Sequence, residues 1–339
     1  MQKIVGGAIA RKGATSLRNE IVETGAGVAS REELKWRLYR KMVQIRRVEE
    51  SLLQLFSRGL LFGTVHTCIG QEVCGVGVTQ ALDPSRDVVW SNHRGHGHYL
   101  SFTGDLQGLI SEILGKAGGA CGGIGGSQHL HNHNIYTNGI LGGILPCAAG
   151  CAFAEKYKET GGVVAVFFGD GAMGEGIIYE TLNIASLWRL PMLLIMEDNG
   201  YAQSTPKAFE HSGDISRRAE SFSIPITRLV ANEVAIVWET AARMIKEIRE
   251  DQRPQLLALE TYRLAPHSKG DDNRDPQELA AHWEADPLKH HREELVAEDG
   301  NRLEQLEQEV SEEVQHCIDA AISDKPMETA RFLKYVDQG

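Results

Sequence analysis

An α/β fold built on a doubly wound, mainly parallel sheet is predicted by three features of this 339-residue sequence. First, residues 163–168 (VVAVFF) form an uninterrupted apolar run, as a parallel strand covered on both faces requires. Residues 192–197 and 256–261 are two further strands of that kind. Second, segments with apolar residues at helical spacing separate the strands, the alternation that a doubly wound sheet needs. Third, a polar cluster follows each strand: Gly169-Asp170-Gly171, Asp198-Asn199-Gly200, and residues 265–272. Open parallel sheets bind ligands beyond the carboxyl ends of their strands, so these clusters are the functional candidates.

The elements follow in order. Residues 1–30 read as a disordered or loosely ordered tail. Its Lys3, Arg11, Lys12 and Arg18 lack the amphipathic pattern of a transit peptide, and a cytoplasmic location is expected. Over 31–57, Leu34, Leu38, Met42, Ile45, Leu52, Leu55 and Phe56 recur at helical spacing. A glycine-punctuated stretch spans 59–77. Residues 88–91 form a short strand that runs into His93-Arg94-Gly95-His96-Gly97-His98. Residues 105–115 are helical, 118–126 a glycine-rich loop, and 146–157 an alanine-rich helix. Helices at 176–188 and 233–249 alternate with the strands, and the charged stretch from Asp275 onward is helical. The division is a tail at 1–30, an α/β domain at 31–273, and a helical extension of that domain at 274–339.

Charge and cysteines narrow the function. A net charge of −11 makes nucleic acid and anionic membrane surfaces poor partners. No apolar run reaches the roughly 18 residues of a membrane span. Cys68, Cys74, Cys121, Cys147, Cys151 and Cys317 contain no CxxC pair and are expected to be reduced core residues.

The most informative pair is Asp170 and Asn199, each at the end of a buried strand. If the two strands are neighbours, a carboxylate and an amide oxygen enter one crevice. Such hard oxygen ligands suit Mg²⁺ or Ca²⁺. Gly169 and Gly171 let backbone amides approach an anion, and the helix after Gly171 points its positive end there. The natural occupant is a metal-bridged diphosphate. Taken alone, Gly-Asp-Gly is as readily a strand-end turn, and an asparagine there caps a turn. Here 27 residues and a second buried strand separate Gly171 from Asn199, the spacing of the thiamine diphosphate signature.

The stretch from Gly169 to Pro206 closely resembles the alpha subunits of pyruvate, branched-chain 2-oxo acid and acetoin dehydrogenases. So do HTCIGQE (66–72), HRGHGH (93–98), GGIGGSQH (122–129), NGILGGILP (138–146) and TYRLAPHS (261–268). The resemblance covers about residues 32–330 and implies the diphosphate-type domain of the thiamine-diphosphate-binding fold. It implies Mg²⁺ held by Asp170, Asn199 and the Tyr201 carbonyl. Arg94, His93, Gly169, Gly171, Ala172, Asn199 and His267 would bind the cofactor's diphosphate, with backbone atoms of Gly139 and Leu141 at the aminopyrimidine. His66, His96 and His267 align with active-site histidines, and imidazole suits proton handling near neutrality. Ser268 stands where mitochondrial relatives are phosphorylated and is equally an ordinary turn residue.

The family also implies partners. The glutamate that activates the cofactor's pyrimidine ring belongs to a separate beta subunit, giving an α2β2 assembly whose product passes to a lipoyl-bearing acyltransferase or carrier. Three departures bear on the substrate. His93 replaces a tyrosine of pyruvate-type members and resembles acetoin-type ones. His129, His131 and His133 cluster in one loop, readable as a pocket for substrate hydroxyls or phosphate, a zinc site, or an exposed loop. Pro266 and Lys269 alter the surroundings of His267, and Lys269 could pair with an anionic substrate. The leading expectation is cleavage of a 2-oxo acid or acetoin. Transketolase-like transfer of a two-carbon ketol unit, and a non-catalytic alpha-like subunit, are the alternatives. Asp170, Asn199, Arg94 and His267 argue against the last. There is no GxGxxG after an early strand with an acid about 20 residues on, as nicotinamide binding would need.

Overall fold

The computed structural model describes residues 21–24, 27–61, 63–268, 272–328, 330 and 333. Residues 1–20 of the expected tail, and Lys269, lie outside the described residues. Ile21–Thr24 (β1) and Gly27–Ser30 (β2) pair as an antiparallel hairpin. Ser30 then caps α1 (Arg31–Ser57), its hydroxyl accepting the Glu33 N–H at 3.1 Å. Next come α2 (Glu72–Thr79), β3 (Val88–Ser91), α3 (His96–Thr103) and α4 (Leu106–Ile113). The chain continues through β4 (His131–Asn132), β5 (Ile135–Thr137), α5 (Ile144–Tyr157) and β6 (Val164–Gly169). After α6 (Gly176–Leu187) and β7 (Met192–Asp198) lies a small hairpin, β8 (Tyr201–Ala202) with β9 (Thr205–Pro206), and the single turn α7 (Lys207–Glu210). The last elements are β10 (Ile226–Val230), α8 (Val234–Asp251), β11 (Gln255–Glu260), α9 (Pro276–Glu284) and α10 (Pro287–Ser323).

Seven strands form one sheet in the order β10-β11-β7-β6-β3-β5-β4. Every pairing is parallel except the short antiparallel edge β4–β5. The apolar runs are double-faced as expected. In β6, Ala165 and Phe167 enter the core layer built with α1, α2 and α8, whereas Val164, Val166 and Phe168 enter the layer built with α5 and α6. Strands β7 and β11 alternate the same way. The C-terminal helices close the first layer: Leu303, Val310, Val314 and Ile318 of α10 share a core with Leu38 and Met42 of α1. Helix α10 is kinked at Asp299 (φ −157°, ψ 90°), whose carboxylate accepts the Arg302 N–H at 3.0 Å and so starts the second half as a cap.

The cysteines depart from expectation. Cys68 and Cys74 are buried, Cys121, Cys151 and Cys317 are half-buried, and Cys147 is exposed. Helix α5 turns one face outward, so its cysteines divide between core edge and surface.

One buried ion network ties distant segments together. Arg46 of α1 donates to Glu72 at the start of α2 (2.5 Å) and to Asp286, the cap of α10 (2.8 Å). All three side chains are less than a tenth exposed. Replacing Arg46 by alanine strands two buried carboxylates and should cost about 3–5 kcal/mol of unfolding free energy, read from urea denaturation. A cost below 1 kcal/mol would mean that the network contributes little to holding α2 and α10 against α1.

Candidate active site

The winding of the sheet places the site. From β3 the chain moves outward to β5, and from β6 it moves the opposite way to β7. Connections leaving neighbouring strands in opposite directions open a crevice at their carboxyl ends. A cleft of about 480 Å³ opens there. Asn92, His93 and Arg94 enter it from β3, residues 169–172 from β6, and Glu197, Asn199 and Tyr201 from β7. Arg263 and His267 follow β11, while His66, Gln128, Gly139 and Leu141 come from loops.

Asp170 opens a tight helical turn, Asp170–Gly174, directly after β6. Its side chain is buried, and Oδ2 has no hydrogen-bond partner. Burial, and next the charge of Asp198, push its carboxyl up to about 7, with Lys207 opposing. Lys207 is itself clamped on Asp198 at 2.6 Å. Asn199 uses one lone pair of Oδ1 on the Tyr201 N–H (3.1 Å). A buried carboxylate oxygen without a donor, beside an amide oxygen with capacity to spare, is a donor set that a hard divalent cation would complete. Gly171 has a second constraint: a Cβ there would sit 2.7 Å from that of Ala202.

Arg94 lines the same cleft as Asp170. It donates to the Thr67 carbonyl (2.8 Å) and to His267 Nδ1 (2.7 Å). Burial, and next the charge of Arg263, lower its pKa to about 9. Among the described residues no carboxylate pairs with it. An anion entering the cleft would supply the missing counter-charge. A guanidinium only donates, so Nδ1 of His267 accepts and its proton is assigned to Nε2.

His66, His93 and His267 meet at the cleft, with ring centroids 4.7–5.4 Å apart. His66 Nδ1 contacts Gln128 Nε2 at 3.1 Å. Both ring nitrogens of His93 are buried without a partner, and burial, followed by Arg94, holds its pKa well below the ordinary value. The three ligand atoms lie within 4.8 Å of one another. Nδ1 of His267 is taken by Arg94, so a cation among these three imidazoles would sit beside the guanidinium charge.

Two sets of expected site residues are corrected. His96 does not line the cleft. It is 1% exposed, with Nδ1 on Glu49 (3.1 Å) and Nε2 on Ser127 (2.9 Å), so both ring nitrogens are spent behind the wall. Burial lowers its pKa, and the Glu49 carboxylate more than offsets this. His129 and His131 also stand outside the cleft, exposed to solvent. The His131 ring stacks on Tyr136, and the left-handed His133 (φ 50°) bends the loop away from the single extended face that the spacing suggested. That loop forms no metal-ligand group among the described residues.

Several site residues escaped sequence reading. Glu112 accepts the N–H groups of Cys121, Gly123, Gly125 and Gly126 at 2.6–3.1 Å and so shapes the glycine-rich loop that delivers Gln128. Gln128, Arg263 and Glu175 stand within quoted family motifs but were given no role there, and Glu210 lies outside them; all four line the cleft. Glu197 had one usable signal, as an acid ending an otherwise apolar strand.

Residues 40–330 match the family described as Dehydrogenase E1 component. The chain belongs to that family. Its relatives include the alpha subunit of acetoin:2,6-dichlorophenolindophenol oxidoreductase from Bacillus subtilis, 36% identical over 86% of this chain and 90% of the relative. The pyruvate dehydrogenase E1 component alpha subunit of Zymomonas mobilis is 37% identical over 86% and 85%. A mitochondrial, testis-specific form from Rattus norvegicus is 32% identical over 88% and 77%. As an E1-family chain it also carries the fold expected of it, a mainly parallel α/β sheet with a helical C-terminal region.

The Asp170 shift predicts a pH-dependent stability. The folded chain keeps this proton up to about pH 7, whereas the unfolded chain releases it near the ordinary 3.8. Ionisation therefore costs folded-state stability progressively from about pH 4 to 7, and in full above. Asp170→Asn should raise the melting temperature in chelator at pH 8, with the gain shrinking toward pH 4. A pH-independent difference would refute the shifted carboxyl.

Proposed function

We propose that this chain is the alpha subunit of a thiamine-diphosphate-dependent E1 dehydrogenase that cleaves a 2-oxo acid or acetoin. The observation that carries the reading is the pair Asp170 and Arg94: a buried acid with one oxygen lacking a donor and a buried guanidinium lacking a carboxylate partner, both lining the switch-point cleft. Mg²⁺ held by Asp170, Asn199 and the Tyr201 carbonyl would answer the first. A diphosphate on Arg94, His93 and the amides of Gly171 and Ala172 would answer the second. Backbone atoms of Gly139 and Leu141 would meet the aminopyrimidine.

Bound thiamine diphosphate supplies a nucleophilic carbon and an electron sink. This chain contributes binding and a placed proton. His267, held by Arg94 with its proton on Nε2, is arranged to donate a hydrogen bond into the cleft. His66 stands beside it as a second proton-handling group.

A beta subunit would supply the pyrimidine side, with an α2β2 assembly and a lipoyl-bearing acceptor. Helices α5 and α6 offer an apolar face, where Phe153, Tyr157, Leu187 and Trp188 are 48–81% exposed and Phe153 packs on Trp188. A patch of exposed aromatics is the surface that a stable partner covers. Acetoin and pyruvate enzymes are nearly equally similar, so similarity does not choose the substrate. The ketol-transfer reading drew on His93, the histidine loop and the surroundings of His267; of these the loop histidines His129 and His131 stand outside the cleft, whereas His93 and His267 line it.

In the complex assembled with its beta subunit, Asp170→Ala should abolish Mg²⁺-dependent thiamine diphosphate binding in calorimetry; unchanged affinity would remove the metal assignment. His267→Ala should leave cofactor affinity within a few-fold and slow turnover by about 10². An equal loss of affinity and rate would make it a diphosphate ligand instead. Trp188→Glu should shift the complex toward free subunits in size-exclusion chromatography with light scattering, and an intact complex would clear that face of the interface.

A further inference from the structure

Glu197 is the last residue but one of β7, two residues before Asn199. It lines the cleft, yet its side chain is only 5% exposed. An anion is the wrong group to touch a diphosphate, and both of its oxygens are turned elsewhere. Oε2 accepts from Asn92 Nδ2 at 3.2 Å, and Oε1 faces His98 Nε2 at 3.4 Å. Asn92 uses its other side-chain atom on the next residues: Oδ1 accepts the backbone N–H of Arg94 at 2.8 Å. The turn that aims Arg94 is therefore tied through one amide side chain to the neighbouring functional strand.

The far side of this tie is rigid. His98 Nδ1 pairs with Ser91 Oγ at 2.7 Å, and its ring stacks on Phe167 of β6 with centroids 3.9 Å apart. A Cβ on Gly75 of α2 would lie 2.9 Å from the same ring, so the imidazole has no room to swing. Glu197 thus joins the carboxyl ends of β3 and β7 across the intervening β6.

We infer that Glu197 is a positioning residue, which through Asn92 holds Arg94 at the distance from the Asp170–Asn199 pair that a diphosphate must span. The inference rests on the proposed cofactor site and adds a residue that neither the signature motif nor the lining guanidinium identifies. Two arms carrying opposite charge, on strands separated by a third, need a defined spacing. A shift of about 1 Å at such a contact costs on the order of 10²-fold at worst, and a loosened tie less.

The test uses the alpha–beta complex, with thiamine diphosphate and Mg²⁺ measured by calorimetry, and inorganic pyrophosphate with Mg²⁺ as a second probe lacking the thiamine rings. Glu197→Ala should weaken both ligands about tenfold. Glu197→Gln, which keeps an acceptor for Asn92, should stay within twofold of the parent and shows that the fold tolerates the site. Asn92→Ala should weaken both ligands about as much as Glu197→Ala. The double variant should be no worse than either single one, because the two residues act through one contact. Multiplicative losses in the double variant, unchanged affinity in Glu197→Ala, or an equal loss in Glu197→Gln would each overturn the inference. If the parent complex binds neither probe, the cofactor reading itself fails, which is a different result from bound probes that ignore Glu197.

Discussion

A parallel sheet covered by helices on both faces has nowhere to put a polar side chain except at its strand ends. That constraint organises the whole molecule. Strands β6, β7 and β11 are apolar on both sides because two core layers press on them. Most charged or hydrogen-bonding groups of the cleft stand at or just beyond a strand's carboxyl end, or on segments folded over that edge. The reversal of winding between β3 and β6 then decides which strand ends are left uncovered. Asp170, Asn199 and Arg94 face one cleft because their strands end at that reversal.

Groups without a ligand's charge must be held by something, and buried carboxylates do much of this. Glu49 accepts from the backbone N–H and thiol of Cys68 and from His96, thereby fixing the segment after His66 and, through His96, the loop at Ser127. Glu112 gathers four backbone amides of the glycine-rich loop. Glu197 ties Asn92 to β7. Each carboxylate is satisfied by amides or imidazoles, so it rigidifies the wall without neutralising the two groups left open to a ligand. The cleft consequently keeps a carboxylate oxygen without a donor and a guanidinium without a paired carboxylate, both among its lining.

The histidines illustrate how context assigns chemistry to one residue type. His93, His66 and His267 face the cleft, the last in a tautomer set by Arg94. His96 and His98, in the same short motif as His93, point backward into the wall, where one binds Glu49 and Ser127 and the other Ser91 and Glu197. The cause is helix α3. It begins at His96, so the two later histidines are carried on a buried helix and only His93 remains on the turn that meets the cleft.

The sequence alone determined the strand runs, their alternation with helices, the Gly-Asp-Gly to Asn spacing and the family resemblance. Those are local or fixed-distance features: a six-residue apolar run needs two covered faces wherever it sits, and a motif keeps its spacing in any fold. Helix α1 was legible to the residue for the same reason, its apolar positions recurring at helical period over 31–57. Tertiary structure alone decided which histidines reach the cleft, that His129 and His131 face solvent, and that Gln128, Arg263 and Glu197 belong to the site. It also decided the Asp170 environment, since desolvation and the Asp198–Lys207 pair come from packing of β6, β7 and α7. Such outcomes depend on which strands become neighbours and on how deeply each side chain is withdrawn from water, and neither quantity is carried by any short stretch of sequence.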